Sequence, residues 1–478
     1  MSAPGPTAPR DPFGTAVLRG HVLDAWAASP ARFREDANAE EDAALGAYHD
    51  RLVVELVQNA VDAAAVAGVP ARVLLRLSGN LLEAANTGAP LTSAGVEALA
   101  TLRASAKRDP GSVGRFGVGF AAVLAVSDTP AILSAAPGGV RWSRAGTLAL
   151  AGALPPLADE LARRDGAVPV LRLPFPCGPE VAGPPDGYDT VVRLPLRDEE
   201  ARALARRLLK GTDPTLPLTL PGLVELTVEV DGARRTLTCA WDGDDAFLDG
   251  RRWWGVARRG GVPAELLADR PVEERIRTGY EIRALVPDGD WPPAVPRVLR
   301  APQPTDEPLS LPVLLSVPLP LEPNRRHTVG GPLRDWLLER AAAAVAALAA
   351  RLGGAAALAL VPTGLPVGEV DGRLRAALAA LLSDAPVFPA GRRGRECAVL
   401  DLGPAADLVA AAAGDALPGL LPGWYAAPRH RPALDLLGVR RLSTTDLVEA
   451  LSGLRRPGHW WAGLYAALAP APDREALG

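Results

Sequence analysis

The glycines of the segment GSVGRFGVGFAAVLAVSD, at 111–128, are spaced for binding an anion. Gly114, Gly117 and Gly119 precede an apolar stretch that predicts a helix. Closely spaced glycines let backbone N–H groups approach a phosphate, and the N-terminus of the helix adds the positive end of its dipole. A dinucleotide-binding fingerprint needs a preceding strand, which ASAKRDPGSVG does not provide. The segment therefore indicates a phosphate-binding loop or, alternatively, a glycine-rich turn before a packed helix.

A second segment, ELVQNAVDAA at 55–64, predicts a helix with one polar stripe. Glu55, Asn59 and Asp62 stand at i, i+4 and i+7, so they share one side of the helix, while apolar residues fill the rest. The stripe has no Lys or Arg, although the chain has 51 basic residues. On this segment alone, a functional face and a solvated face both remain open.

The elements around these segments alternate between helices and strands. Helical periodicity covers 14–30, 39–67, 93–103 and 198–210, and strands are predicted at 71–77, 81–86, 131–135, 140–143, 169–173 and 188–196. This succession predicts an α+β fold.

The chain divides into four regions at proline-rich and glycine-rich connectors. We predict a disordered tail at 1–13, a first domain at 14–222, a sheet-containing domain at 223–330 and an α/β region at 331–478. The second domain contains predicted strands at 223–230, 234–241 and 280–287, and the last region begins with a long helix.

Composition excludes several classes of protein. A formal net charge of -4 gives no broad positive field for nucleic acid. The three cysteines lie far apart without CxxC spacing, which excludes a disulfide framework and a thiolate metal site. No segment has the pattern of a signal peptide or a membrane span. We therefore expect a cytoplasmic protein that binds neither nucleic acid nor membrane.

The two segments together resemble the nucleotide-binding boxes of a known superfamily. ELVQNAVDAA is similar to the N box of the Bergerat-fold (GHKL) ATPases. GRFGVGFAAVLAVSD resembles their second glycine box, in the form found in ninety-kilodalton heat-shock chaperones and sacsin-like proteins. The order of helix box, hairpin, NTG turn, lid segment and glycine box also matches. The resemblance covers about 30–196 and implies a Bergerat α/β sandwich in the first domain, a middle-domain-like sheet after it, and binding of ATP with Mg²⁺.

The resemblance also implies roles for individual residues at the phosphate end. Glu55 is expected to polarise the attacking water, Asn59 to complete the Mg²⁺ shell, and Asp62 to position the helix. Lys107, in the lid segment, is expected to reach a phosphate, although a solvated loop lysine is the alternative. The backbone amides expected to wrap the phosphates belong to Gly114, Arg115, Phe116, Gly117, Val118, Gly119 and Phe120.

The adenine end departs from the family pattern. The segment ANTGAP places Asn86 where the family has Asp in a DxGxG box, with Gly88 completing the turn. An Asn oxygen can accept a hydrogen bond from the adenine amino group, although less tightly than a carboxylate. Thr190 resembles the threonine on a late strand that contacts the base, but Thr on a strand is ordinary.

A loop of the second domain completes the expected site. LPLEPNRRHTVGG, at 319–331, resembles the NRR segment of sacsin-like proteins, which implies that Arg325 or Arg326 reaches the terminal phosphate. The alternative is a pair of solvated arginines.

The function implied by the resemblance is Mg-dependent ATP binding with slow hydrolysis coupled to lid closure. Such an activity fits a chaperone-like or remodelling role on a protein client. A non-enzymatic nucleotide-sensing scaffold for protein contacts is the alternative, and Glu55 favours an enzyme.

Overall fold

The computed structural model describes residues 11–42, 50–100, 119–136, 138–178, 181–276, 278–301, 303–322 and 325–471. The described part is mixed α+β, 45% helical and 22% strand, which confirms the α+β class, while the Bergerat sandwich stays a prediction. The strands are β1 (Ala71–Ser78), β2 (Leu81–Asn86), β3 (Ala131–Ser134), β4 (Gly139–Arg141), β5 (Phe175–Pro176), β6 (Thr190–Pro195), β7 (Leu223–Val230), β8 (Ala233–Asp242), β9 (Asp245–Leu248), β10 (Arg251–Gly261), β11 (Gly279–Pro287), β12 (Val298–Arg300), β13 (Pro304–Pro308), β14 (Leu314–Ser316), β15 (Ala398–Leu400) and β16 (Arg440–Leu442).

The helices cover the faces of the sheet and build the C-terminal region. They are α1 (Thr15–Ala28), α2 (Pro30–Glu41), α3 (Leu52–Ala67), α4 (Ser93–Ala100), α5 (Arg144–Gly152), α6 (Ala158–Arg163), α7 (Glu199–Lys210), α8 (Leu216–Thr219), α9 (Ala264–Leu267), α10 (Val272–Arg275), α11 (Pro332–Leu352), α12 (Gly354–Ala359), α13 (Glu369–Leu382), α14 (Ala406–Ala413), α15 (Arg431–Leu436), α16 (Thr444–Leu451) and α17 (Gly458–Leu468). Within the described part of the chain, no helix combines the length and apolar character needed to cross a membrane.

One mixed sheet connects the first and second halves of the chain. In the described ranges it has fourteen strands in the order β13-β12-β14-β11-β10-β9-β8-β7-β1-β2-β6-β3-β4-β5. Strand β1 pairs antiparallel with β2 and parallel with β7, so the sheet crosses the predicted division at residue 222. Strand β7 contributes Leu226 and Val228 to the same core as α3 and β1. The domain limits themselves stay a prediction.

Helix α3 is the central element of this core because apolar residues occupy most of its circumference. Leu52, Val57 and Val61 are buried against β1 and against the 3₁₀ helix Gly119–Ala125. Gly68 ends the helix in the left-handed conformation, with φ of 68°, which glycine adopts without strain. The helix therefore has a fixed start and end on the face of β1 and β2.

Three local predictions differ from the structure. The helix predicted over 39–67 is interrupted, because α2 ends at Glu41 and α3 begins at Leu52. The strand predicted at 169–173 is a 3₁₀ turn, Val170–Arg172, because the backbone N–H groups of Val170 and Leu171 donate to the buried carboxyl group of Glu40 and not to a neighbouring strand. The helix predicted after the glycines is a 3₁₀ helix.

Candidate functional site

A cavity of about 340 Å³ opens between α3, α4 and the face formed by β2, β6 and β3. Its walls are mainly aliphatic, with Leu56, Ala60 and Val66 from α3 and Phe120 from the 3₁₀ helix. A planar, largely apolar ligand group fits such a lining. The cavity has polar side chains from α3 along one wall and polar side chains of the sheet at its base.

The polar base of the cavity has two side chains of the sheet, Asn86 and Thr190, and Ser134 on the next strand contacts the second of them. Asn86 of β2 lies opposite Thr190 of β6, which lies opposite Ser134 of β3. The hydroxyl groups of Ser134 and Thr190 are 3.0 Å apart. The Asn86 Nδ2 donates to the Thr87 carbonyl oxygen at 3.1 Å, which directs its Oδ1 as an acceptor. The structure thus brings together Asn86 and Thr190, and it adds Ser134.

The NTG turn packs directly onto the backbone of α3. Gly88 has φ of 135°, and a Cβ at this position would lie 2.5 Å from the backbone nitrogen of Ala64. The Gly88 N–H donates to Asp189 Oδ2 at 2.8 Å, and the Ala89 N–H donates to the Ala63 carbonyl oxygen at 2.9 Å. Glycine is therefore required here both for its backbone conformation and for its close approach. Asp189 is a further polar residue of this end of the site.

The polar stripe of α3 faces the protein interior and the cavity. Glu55 and Asp62 are only 5% and 3% exposed, and Asn59 is half-buried. Asn59 and Asp62 line the cavity, and Glu55 lies one helical turn before Asn59. The solvated-face interpretation of Glu55 and Asp62 is therefore wrong.

Glu55 is held by side chains from the second half of the chain. Arg325 Nη1 donates to Glu55 Oε1 at 2.6 Å, and Gln303 Nε2 donates to the same oxygen at 3.4 Å. On the other side, a Cβ at Gly119 would overlap Glu55 Oε2. The carboxylate thus lies between a cation from the second half of the chain and Gly119, the first residue of the 3₁₀ helix.

The two arginines of the NRR segment have different surroundings. Arg325 has a positive φ of 54°, and its side chain is mostly buried against Glu55. The Arg326 side chain is half-exposed and pairs with Asp50 at 2.9 Å and Asp306 at 3.4 Å. Arg325 thus contacts the stripe on α3 through Glu55, whereas Arg326 is paired with carboxylates beside it.

Several predicted phosphate-binding residues lie outside the described residues. They are Lys107, Gly114, Arg115, Phe116, Gly117 and Val118. The described ends of this region are Ala100, whose carbonyl oxygen accepts from Arg172, and Gly119, which packs on Glu55. The phosphate-binding loop itself therefore stays a prediction.

The described residues contain no cluster of three or more His, Cys, Asp or Glu side chains placed to bind a metal ion. The predicted metal ligand Asn59 supplies an amide oxygen at the cavity wall, close to the carboxyl group of Asp62 along the same helix. This donor set suits a hard cation that takes most of its oxygens from a ligand or water, as Mg²⁺ does.

Comparison with models of known protein families finds no match, and comparison with curated proteins finds none either.

Proposed function

We propose that the chain binds Mg-ATP in this cavity and hydrolyses it slowly, as Bergerat-fold (GHKL) ATPases of the sacsin-like and heat-shock-chaperone type do. The observation that carries the proposal is the position of Glu55. It is a buried carboxylate one turn from an amide at the cavity wall, and it is contacted by an arginine from the next part of the chain. Hydrolytic sites for phosphate esters need a base, a metal ligand and a cation that stabilises developing charge.

The polar groups at the base of the cavity favour an adenine ring as the ligand group. Asn86 Oδ1 and the Thr190 hydroxyl are available as hydrogen-bond acceptors on one face of an otherwise apolar pocket. The exocyclic amino group of adenine is a donor, whereas the corresponding O6 of guanine is an acceptor. Aliphatic side chains of α3 and the ring of Phe120 provide contact area for the purine.

The phosphate end is assigned to residues beside Asn59. In this proposal Asn59 would hold Mg²⁺ through its side-chain amide oxygen. The ion neutralises charge on the phosphates when bound. The loop Gly114–Phe120 and Lys107 are proposed to contact the phosphates through backbone amides and one ammonium group.

Glu55 and Arg325 are proposed to carry out the two remaining tasks, proton acceptance and stabilisation of the transition-state charge. Glu55 accepts a proton from the water whose oxygen bonds to the terminal phosphorus, while the bond from that phosphorus to the bridging oxygen breaks and ADP leaves. Arg325 is proposed to exchange its bond to Glu55 for a bond to the terminal phosphate, where a guanidinium stabilises the transition-state charge. We further propose that this exchange accompanies closure of the lid and drives a chaperone-like or remodelling action on a protein client in the cytoplasm.

The deciding experiment compares ATP turnover by the full chain with turnover by Glu55→Ala and by Asn59→Ala. We expect Glu55→Ala to retain nucleotide in calorimetry and to lose turnover by roughly two orders of magnitude or more, the usual scale for a general base. We expect Asn59→Ala to lose the magnesium dependence of binding. Equal turnover by wild type and Glu55→Ala would refute the enzymatic role, and binding without turnover in the wild type would favour the nucleotide-sensing scaffold.

A further inference from the structure

The Glu55 carboxylate is connected to a buried side chain that no sequence motif marks. Gln303 lies between β12 and β13 and is 4% exposed. Its Nε2 donates to Glu55 Oε1, and its Oε1 accepts from Nη1 of Arg51. Arg51, Gln303 and Glu55 therefore form a continuous hydrogen-bonded chain.

The orientation of the Gln303 amide follows from the chemistry of its partners. A guanidinium has only donors, so Arg51 accepts nothing and the Gln303 oxygen must face it. The Gln303 NH₂ group must then face Glu55, because the ionised carboxylate is an acceptor only. The direction of the amide is thus set by Arg51, the residue before α3.

The position of Arg51 is unusual for the start of a helix. It is the residue that caps α3, one turn before Glu55, and its side chain makes no cap hydrogen bond. Helix starts favour Ser, Thr, Asp or Asn, and a positive charge there opposes the helix dipole. Nη2 of Arg51 instead donates to the backbone carbonyl oxygen of Arg325, and its side chain is buried. Arg51 thus contacts both segments of the second half that reach Glu55.

The contacts on Glu55 are divided between its two oxygens. Within the described ranges, the hydrogen bonds from Gln303 and Arg325 both end on Oε1. Oε2 lies against Gly119, the residue before Phe120, whose ring lines the cavity. The two oxygens of the carboxylate therefore contact different elements, Oε1 the second half of the chain and Oε2 the start of the 3₁₀ helix.

We propose that Gln303, oriented by Arg51, is the positioning residue for Glu55. It holds Oε1 so that Oε2 faces the attacking water. This inference rests on the proposed function and extends it, because it assigns the alignment of the base to the segment between β12 and β13. The base is then correctly aligned only while that segment packs on α3.

The test uses the full chain with Gln303→Leu, which keeps side-chain bulk but removes both hydrogen bonds. We expect ATP turnover to fall by about 10- to 100-fold, the scale of a misplaced catalytic group, while the Kd for Mg-ATP changes by less than about threefold. Gln303→Asn retains the amide but is one methylene shorter. It should also lower turnover with little change in the Kd for Mg-ATP, and it replaces the Leu variant if that variant fails to fold.

The matched control is Thr305→Val. Thr305 is equally buried and donates to the Leu299 carbonyl oxygen within the same β12–β13 hairpin, but it does not contact Glu55. We expect it to lower stability without lowering turnover of the folded protein.

A second readout separates positioning from a merely structural role. In a Glu55→Ala background, adding Gln303→Leu should cause no further loss of the residual turnover, because Gln303 acts through Glu55. An equal loss in both backgrounds, or a loss of nucleotide affinity as large as the loss of turnover, would overturn the inference. Unchanged turnover in Gln303→Leu overturns it as well and leaves the proposed function standing. A wild-type chain that neither binds nor hydrolyses Mg-ATP overturns both.

Discussion

Gly119 gives the most direct test of where the Glu55 carboxylate must lie. Gly119→Ala adds one methyl group whose position overlaps Oε2 and lies 3.2 Å from Cδ of Glu55. A free carboxylate would swing aside, but the 2.6 Å bond from Arg325 and the bond from Gln303 hold Oε1. The backbone of Gly119 has no positive φ, so alanine is accommodated in every respect except this contact.

The size of the effect follows from the displacement. Glu55 must move by roughly 1 Å, and a misplacement of this size in a catalytic group can reduce the rate about 100-fold. The crowding itself should cost about 1–3 kcal/mol of stability. We therefore expect Gly119→Ala to lose most ATP turnover and to unfold at lower urea concentration than the wild type.

Two controls make the result specific. Gly152→Ala adds a methyl group at the end of α5, where nothing lies within 4 Å, and should leave turnover unchanged. In a Glu55→Ala background the overlap is removed, so Gly119→Ala should no longer lower the urea midpoint. Normal turnover in Gly119→Ala, or the same destabilisation in both backgrounds, would show that Glu55 is not held as described.

Three further outcomes are expected. Arg325→Ala should weaken ATP binding about tenfold more than ADP binding in calorimetry, because only ATP offers the terminal phosphate, and Arg326→Ala should have the smaller effect. Burial raises the pKa of Glu40 to about 8, so the folded chain retains a proton that the unfolded chain releases. The free energy of unfolding should therefore fall by about 4 kcal/mol between pH 5 and pH 8. Urea titrations at a series of pH values should show this fall in the wild type and a smaller one in Glu40→Gln. Gly88→Ala should lower the free energy of unfolding by about 3 kcal/mol, seen as a lower melting temperature, because the added Cβ meets the α3 backbone. The same displacement should weaken nucleotide binding.

Periodicity and local spacing were sufficient to predict the elements that hold the candidate site. The stripe of Glu55, Asn59 and Asp62 follows from helical geometry, and its lack of basic residues counted against a solvated face without excluding it. The strands that carry Asn86 and Thr190 were predicted within a few residues, because apolar residues and turn signals bound them clearly.

Contacts between distant segments could not be predicted in this way. Gln303 and Glu55 are 248 residues apart, and no local pattern distinguishes Gln303 from a surface glutamine. Ser134 and Asp189 acquire their roles only from the lateral order of β2, β6 and β3, which a single sequence does not reveal. Arg51 could not be identified either, because the predicted helix over 39–67 placed it in the helix interior, and only the structure puts it at the start of α3.

The pairing of β1 with β7 has a mechanical consequence. Hydrogen bonds between parallel strands oppose both sliding and separation of those strands. The two halves of the molecule therefore form one continuous elastic sheet and not two bodies joined by a flexible linker. If the connector between α8 and β7 were cleaved, the two fragments would stay bound. The β1–β7 strand pairing and the core that β7 shares with α3 would hold them together. Displacement of the loop that carries Arg325 would therefore change the surroundings of Glu55 without turning one half of the sheet against the other.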